Sequence, residues 1–231
     1  MTIKKFTIFG ERNSGTKYLQ NLLQQMLCIE FTNDYGFKHW YIKGVMPRGI
    51  NNTTTDNECI KSINDSDDTL FIVIVRNVYD WVGSMHRIPY HIKHIKGNSI
   101  FEFISNKYIA YEESCPNDHK EGSKKPWFKN NNHKYPFFIE EAENLIELRN
   151  LKNNHFYNLQ KKVKNYYLIR QENLKEDIHN MIKKYNLKYK FLDLKNYRNP
   201  RKYNLDEKTI NFINQNIDNL IDGKKSCLEK E

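Results

Sequence analysis

Eight consecutive residues near the start of the chain, Gly10 to Lys17, read G-E-R-N-S-G-T-K and gather donors and charge at a density suited to an anion. Arg12 and Lys17 supply charge, Ser14 and Thr16 supply hydroxyls, and the tight loop from Gly10 to Gly15 adds several backbone N–H groups. Such a loop cradles phosphate; a glycine-bearing turn without a ligand is the plain alternative. Gly10 and Gly15 have the separation of the nucleotide-binding G-x-x-x-x-G-K-[ST] loop, but here Thr16 precedes Lys17. The hydroxyl that would hold Mg²⁺ and the lysine that would reach the β/γ-phosphates have exchanged places, so an NTPase is not expected. Lys38 and His39 adjoin inside an aromatic run, where an imidazole is either a hydrogen-bonded core group or a base. Arg76 follows the most apolar run of the chain, and Ser84 comes eight positions later. A metal-nucleotide enzyme would want an aspartate where Arg76 stands; a cation there suits a phosphate or sulfate oxygen.

The elements that must hold these residues follow from periodicity. Phe6, Ile8 and Phe9 predict a short strand, Gly10 to Gly15 a loop, and Tyr18, Leu19, Leu22, Leu23, Met26 and Leu27 a helix whose N-terminus would add its dipole to the loop. Asp34 to Lys43 reads as a second strand carrying Lys38 and His39, and Gly44 to Asp68 as surface loop around a short helix near Ile60. Thr69 to Val75, apolar after its first residue, predicts a central parallel strand, and Val78 to His86 a helix that sets Ser84 about two turns in.

Three of these stretches resemble the sulfotransferase family. G-E-R-N-S-G-T, Gly10 to Thr16, is similar to the family's 5′-phosphosulfate loop; Lys38 and His39 resemble the strand that bears its base; R-N-V-Y-D-W-V-G-S, Arg76 to Ser84, is similar to its 3′-phosphate motif. The wording from Arg76 to His91 further resembles a small branch of sulfotransferase-like proteins of bacteria and large DNA viruses, and Asn165 to Leu174 is similar to a strand and R-x-E-x-L turn of the family. The resemblance implies an α/β fold, a central parallel β-sheet with helices on both faces in the P-loop-like arrangement. It implies 3′-phosphoadenosine 5′-phosphosulfate as donor, with 3′,5′-diphosphoadenosine as product. His39 is then the general base, with Lys38 and Arg12 neutralising the bridging and leaving oxygens. Arg12, Asn13, Ser14, Gly15, Thr16 and Lys17 hold the 5′-phosphate, and Arg76 and Ser84 the 3′-phosphate. A sulfuryl group carries one negative charge where a phosphoryl group carries two, so cations and N–H donors can serve its transfer without Mg²⁺. Lys38 beside His39 should lower the imidazole pKa and keep it neutral. Two departures stand out: Asn13 occupies a position often basic in relatives, and the family's C-terminal glycine-rich loop has no counterpart beyond the basic stretch Arg198 to Lys202, which reads as a solvated turn.

The rest of the chain sets the frame. With 231 residues and 39% hydrophobic content, one α/β domain over residues 1–223 is expected, with a frayed tail at 224–231. Lysine and arginine number 37 against 28 acids, a formal charge of +9 that favours an anionic ligand. No apolar run spans a membrane, no leader is read, and Cys28, Cys59, Cys115 and Cys227 form no close pair, so a cytoplasmic protein with reduced thiols and no membrane partner is expected. His86, His91 and His94 lack the companions of a metal site, and none is expected. Residues 88–138, loop-rich and aromatic, are the expected acceptor-recognition region, for a small-molecule or carbohydrate acceptor that the sequence does not specify. Ile139 to Lys164 reads as one long helix with Glu140, Glu141 and Glu143 in its first turn; its cations Arg149 and Lys152 read as a solvated face, with acceptor contact as the alternative. Two closing helices are expected at Leu174 to Tyr185 and Asp206 to Ile221, the second capped by Asp206. The rival functions are a P-loop nucleoside or nucleotide kinase, and a non-catalytic anion or nucleic-acid binder; nucleic acid is favoured only by the charge and is not the expected partner. Oligomeric state is not legible.

Overall fold

Seven uncharged residues in a row, all buried, make β3 (Thr69–Val75) the centre of the sheet in the computed structural model. The structure describes residues 2–36, 38–39, 62–89, 99–110, 140–190 and 201–218. On one side β3 pairs in parallel with β1 (Lys5–Phe9), on the other with β6 (Tyr166–Arg170), and β2 (Glu30–Phe31) extends the sheet beyond β1. The order is β2-β1-β3-β6, every pair parallel. A strand flanked on both edges and covered on both faces has no place for a polar side chain, which is why its sequence is an apolar run and not an alternation.

The twofold periodicity of the strands assigns each face its layer. Phe6, Ile8, Leu70, Ile72 and Ile74 pack against Leu19, Leu23 and Met26 of α1 (Thr16–Met26) and Leu174, Ile178 and Met181 of α5 (Leu174–Tyr185). Phe9, Phe71, Val73 and Val75 point the other way, toward Tyr35 and Phe156, the latter from α4 (Leu145–Asn158). A further apolar group joins Val78, Trp81 and Met85 of α2 (Val78–Arg87), Phe103 of α3 (Ile100–Ser105), Leu145 of α4 and Ile213 of α6 (Glu207–Asn216). The architecture is therefore α/β, a parallel sheet with helices on both faces, as expected.

Several boundaries differ from the sequence reading. Glu140 and Glu141 do not open a helix: β5 (Glu140–Ala142) pairs antiparallel with β4 (Tyr108–Ala110), a ribbon the periodicity did not announce. Asn144 sets the start of α4, its side chain accepting from the Glu147 N–H at 2.9 Å, and the helix stops at Asn158 in a tight turn instead of reaching Lys164. The expected strand from Asp34 is also corrected. The strand is Glu30–Phe31, and residues 34–35 and 38–39 lie in turns, because Gly36 at φ 112° donates its N–H back to Asn33 and breaks the extended course. Trp40 to Lys43 and Ile60 lie outside the described residues; a short 3₁₀ turn, Ile63–Asp65, follows the latter. Helix α5 has the expected bounds, and α6 begins at its Asp206 cap but ends at Asn216; residues 219–221 and the tail at 224–231 lie outside the description. So does most of the 88–138 region; within it, Tyr108 is core. Among the described residues no helix is long and apolar enough to cross a membrane.

Candidate functional site

From β1 the chain passes outward to β2 and then returns to the other side of β1 as β3. The carboxyl ends of β1 and β3 thus flank a reversal of strand order, the place where loops diverge and leave a crevice for a ligand. Gly10 follows β1 there, and it has no room for a side chain: a Cβ would meet the Ile74 carbonyl oxygen of the neighbouring strand. Its backbone carries the turn containing Lys38 and His39. The Gly10 N–H donates to the Lys38 carbonyl at 3.0 Å, and the Gly10 carbonyl accepts from His39 Nδ1 at 2.7 Å. Since a carbonyl only accepts, Nδ1 bears the hydrogen and the neutral ring has its lone pair on Nε2.

The loop that follows coils back on itself. Ser14 donates both its N–H (3.2 Å) and its hydroxyl (2.5 Å) to the Glu11 carbonyl, while Asn13 (φ 59°) and Gly15 (φ 96°) are left-handed. Alternating backbone hands turn successive N–H groups toward one concave side. A Cβ on Gly15 would also lie 2.8 Å from Gln171 Nε2. Helix α1 starts at Thr16 with no side-chain cap and no acid in its first turn, so its positive end faces the loop without a built-in counter-charge. Asparagine at position 13 is accounted for by this geometry: it tolerates the left-handed region, and its Nδ2 donates to the Ile88 carbonyl at 3.0 Å and the Met85 sulfur at 3.0 Å.

Helix α2 and Arg76 brace the loop from the other side. Trp81 Nε1 donates to the Arg12 carbonyl at 2.7 Å; Arg76 donates Nη1 to the Asn13 carbonyl at 3.2 Å and Nη2 to the Arg201 carbonyl at 3.0 Å. Arg76 Nε is buried with no partner among the described residues. Ser84, 5% exposed, stands three residues after Trp81 and four before Ile88, so it shares the α2 face that meets the loop. Glu172 accepts from the Asn77 N–H at 2.7 Å, tying the R-x-E-x-L turn after β6 to the start of α2.

Charge converges on the loop. Arg12, 3% exposed, pairs with the buried Glu11, whose Oε1 accepts from the Arg12 N–H at 2.7 Å and Nη1 at 2.9 Å. Burial pushes the Glu11 carboxyl up, but Arg12, Lys152 and His39 outweigh it and hold it below its ordinary range. Burial lowers the His39 imidazole to about 3, with Arg12 and Lys38 adding to the effect against the Gly10 bond and Glu11. Lys38 is lowered by burial and by repulsion from Lys17, so these two lysines lie near one another although α1 leaves Lys17 exposed. The structure thus brings the loop, Lys38, His39 and Arg76 together.

Two groups were not legible as site residues. Glu11 went unassigned in the sequence reading, and Arg149 and Lys152 were expected in solvent. Instead Arg149 is 2% and Lys152 0% exposed. Arg149 Nη2 donates to the Arg76 carbonyl at 2.8 Å with its guanidinium 5.7 Å from the Trp81 ring, and Lys152 Nζ donates to the His39 carbonyl at 2.6 Å. The overlooked signal is that α4 has no single apolar stripe: Leu145, Ile146, Leu148 and Phe156 spread around it, so the helix is enclosed and its cations must end inside.

Of the remaining candidates, His86 packs edge-on against Phe103, and His91 and His94 lie outside the described residues, as do Arg198 to Pro200. Among the described residues no three His, Cys, Asp or Glu side chains gather to hold a metal. A shallow depression lined by Phe101, Lys208 and Phe212 lies on the α3–α6 surface, with Lys208 Nζ 3.7 Å from the Phe101 ring; its lining shares no residue with the loop. No family model, curated protein or solved structure matches the chain.

Proposed function

We propose that the chain is a sulfotransferase that moves a sulfuryl group from 3′-phosphoadenosine 5′-phosphosulfate to the hydroxyl or amine of a small-molecule or carbohydrate acceptor in the cytoplasm. The observation that carries this reading is the His39–Gly10 bond, which pairs a neutral imidazole with the backbone of an anion loop. The donor's fit rests on the concave loop between Gly10 and Gly15, the uncapped start of α1, the neighbouring Lys17 and Lys38, and the unsatisfied Nε of Arg76.

Asn13 to Lys17 would hold the 5′-phosphate with N–H groups, hydroxyls and one ammonium, and Arg76 with Ser84 the 3′-phosphate. The donor supplies an activated S–O bond. His39 Nε2 takes the acceptor's proton as its oxygen or nitrogen attacks sulfur in line; Arg12 and Lys38 neutralise the charge that collects on the leaving phosphate oxygen. A kinase reading is less well supported, since Thr16 precedes Lys17 and β3 ends in Arg76 where an acid would serve Mg²⁺. Labelled donor with a panel of hydroxyl and amine acceptors, run beside ATP with Mg²⁺, tests the choice. Transfer of label from the sulfate donor supports the reading; transfer only from ATP with Mg²⁺ overturns it.

A further inference from the structure

Lys152 has no role in the reaction as written, yet among the described residues no cation is more completely buried. An ammonium withdrawn from water is costly unless it is paired and hydrogen-bonded, and a leucine or methionine would fill similar volume without that cost. Packing alone does not account for a lysine here. Its Nζ lies 2.6 Å from the carbonyl oxygen of His39, and its charge acts on the Glu11 carboxylate. Glu11 in turn belongs to the loop that starts at Gly10, the residue whose carbonyl holds the His39 ring. Three residues earlier on α4, Arg149 donates to the Arg76 carbonyl. One helix therefore ends its two buried cations on the backbones of the residues read as base and as 3′-phosphate ligand.

We infer that Lys152 is a positioning residue for His39: by binding the His39 carbonyl and balancing Glu11, it fixes the turn so that the ring keeps its Nδ1 hydrogen on Gly10 and its lone pair on Nε2. Among the described residues the charged groups about this imidazole include Arg12 and Glu11 from the loop, Lys38 beside it with Lys17 behind, and Lys152 from α4. The Lys152 side chain hydrogen-bonds the His39 backbone from another element. A base displaced by about 1 Å loses on the order of 10²-fold in rate, so this role has a measurable consequence. The inference rests on the sulfotransferase reading for its effect on turnover, but not for its effect on the ring.

The test is ¹⁵N NMR of the histidine rings in the full chain, with turnover and calorimetric binding of 3′,5′-diphosphoadenosine on the same preparations. In the parent protein the His39 signal should be that of the Nδ1–H tautomer. Lys152→Met should shift it toward a mixture and lower turnover roughly 10–100-fold, while diphosphoadenosine affinity changes far less. Because the single change takes the donor away from the His39 carbonyl and can unfold the chain, Lys152→Gln keeps a shorter N–H donor at the same place and leaves the Glu11–Arg12 pair untouched. It should melt closer to the parent protein and show a smaller shift toward the mixture. An unchanged His39 tautomer in Lys152→Met, or in Lys152→Gln where that variant alone folds, overturns the inference. Failure of the parent protein to bind diphosphoadenosine instead overturns the sulfotransferase reading, and the ring signals still decide the role of Lys152.

Discussion

At His39, burial and the nearby Arg12 hold the imidazole neutral down to about 3. A histidine lowered from 6.5 in this way favours the native state fully above 6.5, and that contribution is lost as pH falls from there toward 3. On the proposed reading the kinetic consequence has the same sign: the imidazole stays deprotonated through the physiological range in the donor-free protein, so kcat/KM should show no acid limb between about pH 5 and pH 8. A limb near the ordinary histidine value would mean that His39 is solvated and is not held by Gly10. An anionic donor bound as proposed would strengthen so weak a base, since negative charge raises the ring's pKa. Replacement is the more direct test. His39→Ala should lower transfer by roughly 10²–10⁴-fold while leaving diphosphoadenosine binding nearly intact, whereas Arg12→Ala should weaken both. Retention of turnover by His39→Ala would remove the base assignment, even if the anion site remained.

Among the elements, those defined by their own residues were the legible ones. The unbroken apolar run of β3 and the helical spacing in α5 are local patterns, and Asp206 announces α6 by its type and place. Its side chain accepts from the Thr209 N–H at 2.7 Å, so Asp206→Ala should cost about 1 kcal/mol in urea unfolding, with no change in slope. No change in midpoint would show that the cap is not used. What stayed hidden depends on partners distant in the chain. Glu140 and Glu141 belong to a strand because β4 lies alongside, although an acid-rich start before an apolar run also describes a helix. Lys152 is internal because α4 is covered on most sides, and its partner His39 lies 113 positions away. The loop was legible as a tight turn between strand and helix from its glycines; the burial of Glu11 was not, since a buried acid beside Arg12 cannot be told from a solvated one by spacing.

Across the whole molecule, a formal charge of +9 is shared by any anion, and so it cannot by itself choose among nucleic acid, nucleotide and sulfate donor. Among the described residues Arg12, paired with Glu11, and Lys17 and Lys38 lie at the loop, with Arg76 beyond it; on the proposed reading the first three serve the 5′ end of the donor and Arg76 its 3′-phosphate. A ligand with phosphates at both ends of its ribose should therefore bind better than one with a single phosphate, by the worth of a charge-assisted contact, about 1.5–3 kcal/mol or roughly 10–150-fold. At a concentration of 100 times its Kd, 3′,5′-diphosphoadenosine should stabilise the fold by about 2.7 kcal/mol. For a domain of this size that raises Tm by roughly 5–10 °C. AMP at the same concentration, weaker by that factor, should contribute less than about 1.5 kcal/mol. Both shifts should be the same with and without Mg²⁺, and Arg76→Ala should bring diphosphoadenosine down to the AMP value. Equal shifts from the two ligands in the parent protein would leave Arg76 without a phosphate to bind. A shift that appears only for ATP with Mg²⁺ would reassign the loop to a nucleotide kinase.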